Sequence, residues 1–222
     1  MIPDENLAAA VREALGLEPT DPIPLKKLEE LDRLHAYDRG IKDLTGLEYA
    51  TGLTVLHLYN NQINNIKPIA NLTQLTELSL GVNQIRNIKP LEKLTQLTVL
   101  HLWRNQISNI RPLTALTKLT VLSLGGNQIS EITFLSNLSN LSFLHLMANQ
   151  ISNIKPIAEL TQLTALNLVN NQINDINPIE NFTSLENLYV HGNQIQDMEP
   201  LRKLIKQLPD LKLDIEVTNA NK

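Results

Sequence analysis

From Leu53 to Lys206 the apolar positions return every 22 residues, seven times, without an insertion. Each copy starts at a leucine (Leu53, Leu75, Leu97, Leu119, Leu141, Leu163, Leu185) and reads L-x-x-L-x-L-x-x-N-Q-I-x-x-I-x-P-L-x-x-L-T-x with small departures. The L-x-L segment alternates with period two, which predicts a short strand burying every second side chain. In the third copy the inward set is Leu97, Leu100, Leu102, Ile107, Ile110, Leu113 and Leu116. One copy cannot bury that much aliphatic surface alone, but stacked copies can. The pattern therefore predicts an α/β solenoid with a parallel sheet along one side. Return segments such as "IRPL" (110–113) are too short and too proline-marked for long helices and predict 3₁₀ or irregular turns.

The strand-closing residue is always asparagine: Asn61, Asn83, Asn105, Asn127, Asn149, Asn171 and Asn193. A tight turn buried between coils leaves backbone groups without sheet partners. Asn both donates and accepts, so it is expected to satisfy groups in its own coil and the next, which Asp could not do. An eroded copy precedes the array (Leu31, Leu34, Ile41, Leu44, Leu47) and a partial one follows (Leu208, Leu211, Leu213). The open ends need covers. Asp4 is placed to cap a helix carrying Leu7, Val11, Ala14 and Leu15 on one side, with Gly16 as its stop. At the far end the return segment is one residue longer, a last strand follows, charges from Lys206 to Glu216 blunt the sheet edge, and the tail frays from Thr218. The chain divides into a helical cap with the eroded copy (1–52), seven repeats (53–206) and a C-terminal cap and tail (207–222).

These repeats resemble bacterial leucine-rich repeats of the 22-residue kind, and the "NQIxxIxPLxxLT" frame is similar to that of the internalins. The opening "IPDENLAAAVREALG…DPIPLKKLEELDRLHAYDRGIKDLTGLEYA" also resembles the helical N-terminal cap of that family. The resemblance implies a curved leucine-rich repeat domain whose third, fifth, seventh and eighth positions pave a concave recognition face. It also implies an exported or cell-surface bacterial setting. In this chain the N-terminus puts acidic residues where a signal peptide has basic ones, so localisation is left open.

Those four columns hold all five histidines, the single Trp, and three of the four Tyr. Drift on a solvated face would yield mostly Lys, Glu, Ser and Thr, whereas Tyr, Trp, Met and Arg are the types enriched at recognition surfaces. The expected ligand-contacting set is Trp103, Arg104, His101, Val99, Val121, Phe143, His145, Met147, Tyr59, His57, Tyr37, Val82 and Tyr189. Trp103 is expected to stand as a central ridge with gaps at Gly81 and Gly125 for partner side chains. Thr98, outward but off this cluster, is the control position. The five imidazoles are expected to titrate together near pH 6.5.

Composition narrows the function further. Aromatics make up 4% of the chain and net charge is −4, with a pI of about 5.7. The core must be aliphatic, and a general nucleic-acid partner lacks the basic field it would need. There is no Cys and no apolar run of transmembrane length. No catalytic constellation is present and no cofactor is expected. The nearest thing to a metal site is His35 and His57 with Asp38, and none is assigned there. The reading is a non-enzymatic, monomeric module binding a protein or peptide ligand on its concave face. A structural scaffold, a self-associating repeat protein or an engineered repeat binder are the alternatives.

Overall fold

In the computed structural model, which describes residues 2–215, the strands form one parallel sheet in strict sequence order. They are β1 (Arg33–His35), β2 (Val55–His57), β3 (Glu77–Ser79), β4 (Val99–His101), β5 (Val121–Ser123), β6 (Phe143–His145), β7 (Ala165–Asn167), β8 (Asn187–Tyr189) and β9 (Lys212–Leu213). From β1 to β8 each strand lies 22 residues from its neighbour: Arg33 pairs with Val55, and Val55 with Glu77. The expected inward set of the third copy is fully buried. Phe182 is the one aromatic side chain in an otherwise aliphatic core, standing where other repeats carry leucine.

The returns are 3₁₀ turns, such as Lys89–Lys93 and Arg111–Ala115, most of them with Pro in the first two positions, while Leu47–Tyr49 and Thr133–Leu135 have none. Proline is tolerated there because the first turn has no intrahelical use for its missing N–H. The last return departs from expectation. It is an α-helix, α3 (Glu199–Gln207), after a short α2 (Leu25–Glu29) near the N-terminus that the sequence pattern did not predict. Asn187 pairs with Lys212, so the final coil is three residues longer than the 22-residue frame rather than one. Pro200 and Leu201 sit at the start of an apolar stripe through Leu204, and a helix buries that stripe over the end of the core where a flat turn would leave it open.

The N-terminal cover is α1 (Glu5–Ala14). One oxygen of Asp4 accepts the N–H groups of Asn6 and Leu7, both at 3.0 Å. The other accepts those of Lys42 at 2.8 Å and Asp43 at 3.1 Å, in the eroded coil. One carboxylate thus caps the helix and ties it to the solenoid. Burial by itself would raise its pKa, but the four backbone donors outweigh this and hold it below the ordinary carboxylate value. The buried face is Leu7, Ala8, Ala10 and Val11. Ala14, expected in that face, is exposed, because the helix rotates to lay Ala10 against the core.

At the other end Asp214 supplies what a further coil would. Its carboxylate accepts the N–H groups of Val190 at 2.8 Å and His191 at 3.2 Å, and pairs with the His191 imidazole. Glu216 and the tail from Thr218 lie outside the described residues.

The asparagines form a continuous ladder. Asn105 Nδ2 donates to Leu102 O in its own coil and to Leu80 O in the preceding one, both at 3.0 Å, while its Oδ1 accepts Ile85 N–H at 3.0 Å. Asn83, Asn127, Asn149, Asn171 and Asn193 repeat the arrangement. The reach is therefore backwards, to the coil before rather than the coil after. Asn105→Leu leaves the buried Ile85 N–H without its acceptor and takes one of two asparagine donors from each of Leu80 O and Leu102 O, which keep Asn83 and Asn127. It should cost about 1–3 kcal/mol per stranded group, read as a clear fall in the urea midpoint. An unchanged midpoint would show that the ladder does not hold the coils together.

Candidate functional site

Three-residue strands place positions three and five of every repeat on the side opposite Leu34, Leu56, Leu78 and their successors, so these side chains share the concave face. Strand pairing then sets columns in register: Val99 against Val121, and Val121 against Phe143. The apolar strip expected from the sequence is a continuous row.

At the N-terminal end of the face, polar groups are linked. His35 Nδ1 faces His57 Nδ1 at 3.0 Å, and His57 Nε2 meets Glu77 Oε1 at 2.8 Å. Beside them Tyr37 and Tyr59 stack with centroids 5.0 Å apart and planes 11° from parallel. Asp38 is engaged by Asn60 instead of joining the histidines. Among the described residues no three His, Asp or Glu side chains are grouped to hold a metal.

The centre differs from expectation. Trp103 is half-buried, and its indole lies across Gly81, where an added Cβ would come within 2.4 Å of Nε1. His145 likewise covers Gly125, its ring atoms 3.2 Å from the position of an added Cβ. Both gaps are therefore filled by this chain's own side chains and are not open to a partner. Glycine is needed at 81 so that the large ring of the next coil can lie flat. The Arg104 guanidinium sits 5.7 Å from the Trp103 ring centroid, in cation–π range.

An opening does exist three coils on from Trp103. A notch of about 100 Å³ lies over Ala165, between Phe143 and Tyr189, with His145 and Asn167 also on its wall. It forms because Ala165 is the smallest residue of its column. Phe143, Tyr189 and the nearby Met147 are exposed. Val169, expected to point outward, is buried at 3% exposure.

The eighth column is not free either. Asp38, Asn60, Val82, Arg104, Ala148 and Asn170 have φ between 49° and 58°, and Gly126 and Gly192 have 67° and 70°. Every repeat turns out of its strand through the left-handed region, which favours Asn, Asp and Gly and strains a β-branched side chain. The presence of Asp, Asn or Gly at five of these eight positions was the available signal. Thr98 is also part of the frame. Its hydroxyl donates to Thr76 O at 3.1 Å, and Thr54, Thr76, Thr120, Ser142 and Thr164 do the same one coil apart. This second ladder was readable from the recurring Thr or Ser that follows the first leucine.

The histidines are not equivalent. Burial lowers the pKa of His101; the nearby Glu77 carboxylate pulls it back up in part and His57 lowers it further. Burial also lowers His145, with a smaller contribution from His101. His145 Nδ1 is 3.2 Å from Ser123 Oγ, while its Nε2 is buried without a partner. The common titration expected from sequence therefore does not hold for these two.

The family model "Leucine Rich repeats (2 copies)" matches residues 51–93, 73–115, 95–137, 117–159 and 161–203. No curated protein matches the chain. Among solved structures, an internalin (inlF) from Listeria monocytogenes is 37% identical over 92% of this chain, with a TM-score of 0.89. This chain spans 61% of that one. Internalin C2 (inlC2) from the same species is 36% identical, with 91% of this chain and 90% of the other covered and a TM-score of 0.88. The ectodomain of the Arabidopsis thaliana receptor kinase GASSHO1/SCHENGEN3, in complex with Casparian strip integrity factor 2, shares the fold at 24% identity. It has a TM-score of 0.70, with 85% of this chain and 25% of that one covered. No helix among the described residues is long and apolar enough to cross a membrane.

Two measurements check this geometry. Val82→Asn puts a residue that tolerates positive φ where valine is strained, and should raise unfolding free energy by about 1 kcal/mol; no gain in urea melts would mean the valine is unstrained. His101 and His145 have folded-state pKa values below the unfolded value of about 6.5, so the unfolded chain takes up protons first. Their stability contribution is full above about pH 6.5 and is lost as pH falls below it. The double variant His101→Asn/His145→Asn should lose less stability than the parent between about pH 7 and 5. Parallel pH profiles would contradict the assignment.

Proposed function

The chain belongs to the leucine-rich repeat family and is internalin-like, and from that premise we propose that its concave sheet binds a protein or peptide ligand. The leucine-rich repeat is a protein-interaction scaffold, and a rigid preformed surface loses little entropy on docking. What carries the reading is where apolar surface is left uncovered. Four of the seven exposed large apolar side chains among the described residues, Tyr37, Phe143, Met147 and Tyr189, lie on this one face, against Leu25, Tyr49 and Ile205 elsewhere, although the fold requires none of the four to be apolar.

The contact area runs from Tyr37 and Tyr59 through Trp103 to Phe143 and Tyr189. Trp103 presents one face of its indole and spends the other on Gly81. Arg104 adds a donor fork beside it, and His57, His101 and His145 supply polar contacts between the aromatic groups. The notch over Ala165 takes one small apolar side chain of the ligand. Val99 and Val121 form the apolar floor between the two centres, and Val82 borders Trp103. By likeness to the internalins the setting is a bacterial exported or surface protein. The chemistry is recognition, without catalysis or cofactor, by a monomer.

Capture from host and bacterial lysates with the parent and with Phe143→Ala/Tyr189→Ala, followed by calorimetry on the retained partner, tests the reading. Trp103→Ala should weaken that partner at least about thirtyfold, since central aromatics often contribute about 2 kcal/mol or more and about 1.4 kcal/mol is a decade. The Phe143/Tyr189 pair should have a similar effect, with melting temperatures close to the parent's. A partner held equally well by all three proteins would place binding elsewhere. A dimer in light scattering that dissociates on Phe143→Ala would replace ligand binding with self-association.

A further inference from the structure

We infer that the convex flank of the first to third repeats is a binding site for an acidic polysaccharide, separate from the concave face. Two adjoining depressions of about 740 and 410 Å³ lie there and share Asn87, Lys89 and Glu92. Lys67, Lys89 and Arg111 occupy the same repeat position on consecutive coils, and Arg86 and Lys93 flank them. All five are exposed, and among the described residues none is in an ion pair. Glu92 is the one carboxylate lining either depression.

This concentration stands out in a chain of net charge −4. Further along the chain the position of Lys67, Lys89 and Arg111 carries Thr133, Lys155, Asn177 and Glu199, and the position two residues before it carries Glu131, Asn153, Asp175 and Asp197, so apart from Lys155 the flank changes sign towards the C-terminus. A solvated face with no ligand would gain by mixing the charges. Unpaired cations gathered in a groove attract an anion with several charged groups.

The lining specifies which polyanion. Asn65, Asn87 and Asn109 alternate with the cations, and each spends its Oδ1 on the N–H two residues on, of Lys67, Lys89 and Arg111 at 2.9–3.0 Å. That bond holds the amide plane and leaves Nδ2 as a fixed donor. Arg86 Nε is held by Gln106 Oε1 at 2.7 Å, a neutral partner that orients the guanidinium without cancelling it. Cations for sulfate or carboxylate alternating with amides for hydroxyls match a sugar chain that carries acid groups. The groove has no aromatic side chain on which bases could stack. It has no apolar wedge to enter a bilayer either.

The test is calorimetry of the intact protein with a size-defined sulfated octasaccharide at low ionic strength, beside uncharged maltooctaose, a single-stranded DNA of equal charge, and vesicles containing anionic lipid. Binding is expected for the sulfated sugar alone, weakening as salt is added. Arg86→Gln/Lys89→Gln/Arg111→Gln should reduce it about tenfold or more. Lys26→Gln/Lys27→Gln on α2 and Tyr189→Ala on the concave face should leave it unchanged. If the triple variant folds poorly, Lys89→Gln alone gives the same direction on a side chain that supports nothing. No sulfated-sugar binding, binding insensitive to these changes, or equal binding of DNA or vesicles through the same residues would overturn the proposal.

Discussion

Everything in this structure depends on pairing backbone groups at the point where the chain leaves the sheet. A three-residue strand supplies few ladder bonds, and the turn that follows is pressed between two coils where water cannot reach. One asparagine per repeat closes that deficit, holding its own coil and the one before it in one amide. At the termini the coil before or after is missing, and aspartates substitute: Asp4 binds Lys42 and Asp43 N–H, and Asp214 binds Val190 and His191 N–H. The groups met there are N–H donors, which an acceptor alone can satisfy. The choice of Asn inside and Asp at the ends follows from which groups are left over.

The same turn explains why the concave face has its shape. Leaving the strand within two residues forces the eighth position to positive φ, whatever side chain it bears. Side chains on adjacent coils then lie close enough to lean on one another. Trp103 rests on Gly81 and His145 on Gly125, so glycines next to bulky neighbours are seats for them rather than cavities. Open space appears instead where a small residue with a Cβ, Ala165, stands between two large ones that do not lean over it. Whether a neighbour tilts forward or backward decides which of two similar-looking positions is open.

This sets the limit of what the sequence discloses. The period reports core and sheet because burial is all or none: Leu97, Leu100 and Leu102 have no alternative to the interior once coils stack. The columns of the concave face are equally legible, since strand alternation fixes them. Side-chain tilt is not, because it depends on rotamers chosen among neighbours 22 residues away. The gaps beside Trp103 were misplaced for that reason, and Val169 was placed outside although it is buried. The final coil failed for another reason. Glu199 to Gln207 carries the same Pro and Leu marks as the 3₁₀ returns, and only the lack of a further coil makes a helix the better cover. The positive-φ column and the threonine ladder were visible, but variation at the first and solvent-facing character at the second disguised frame residues as free ones.

A frame this self-sufficient separates stability from recognition. The core and the two ladders hold the coils whether or not the outward positions are filled by any particular residue, so surface chemistry can change coil by coil without unfolding the chain. That independence permits different chemistry on opposite flanks: aromatic groups gathered on the concave sheet, and unpaired cations gathered over the 3₁₀ turns of the first to third repeats. The two faces share no side chain, since strand alternation sends one set inward to the hollow while the returns carry the other. Between them lies a packed aliphatic core, so two ligands engaged at once would be expected to add through proximity, as two sites on one body.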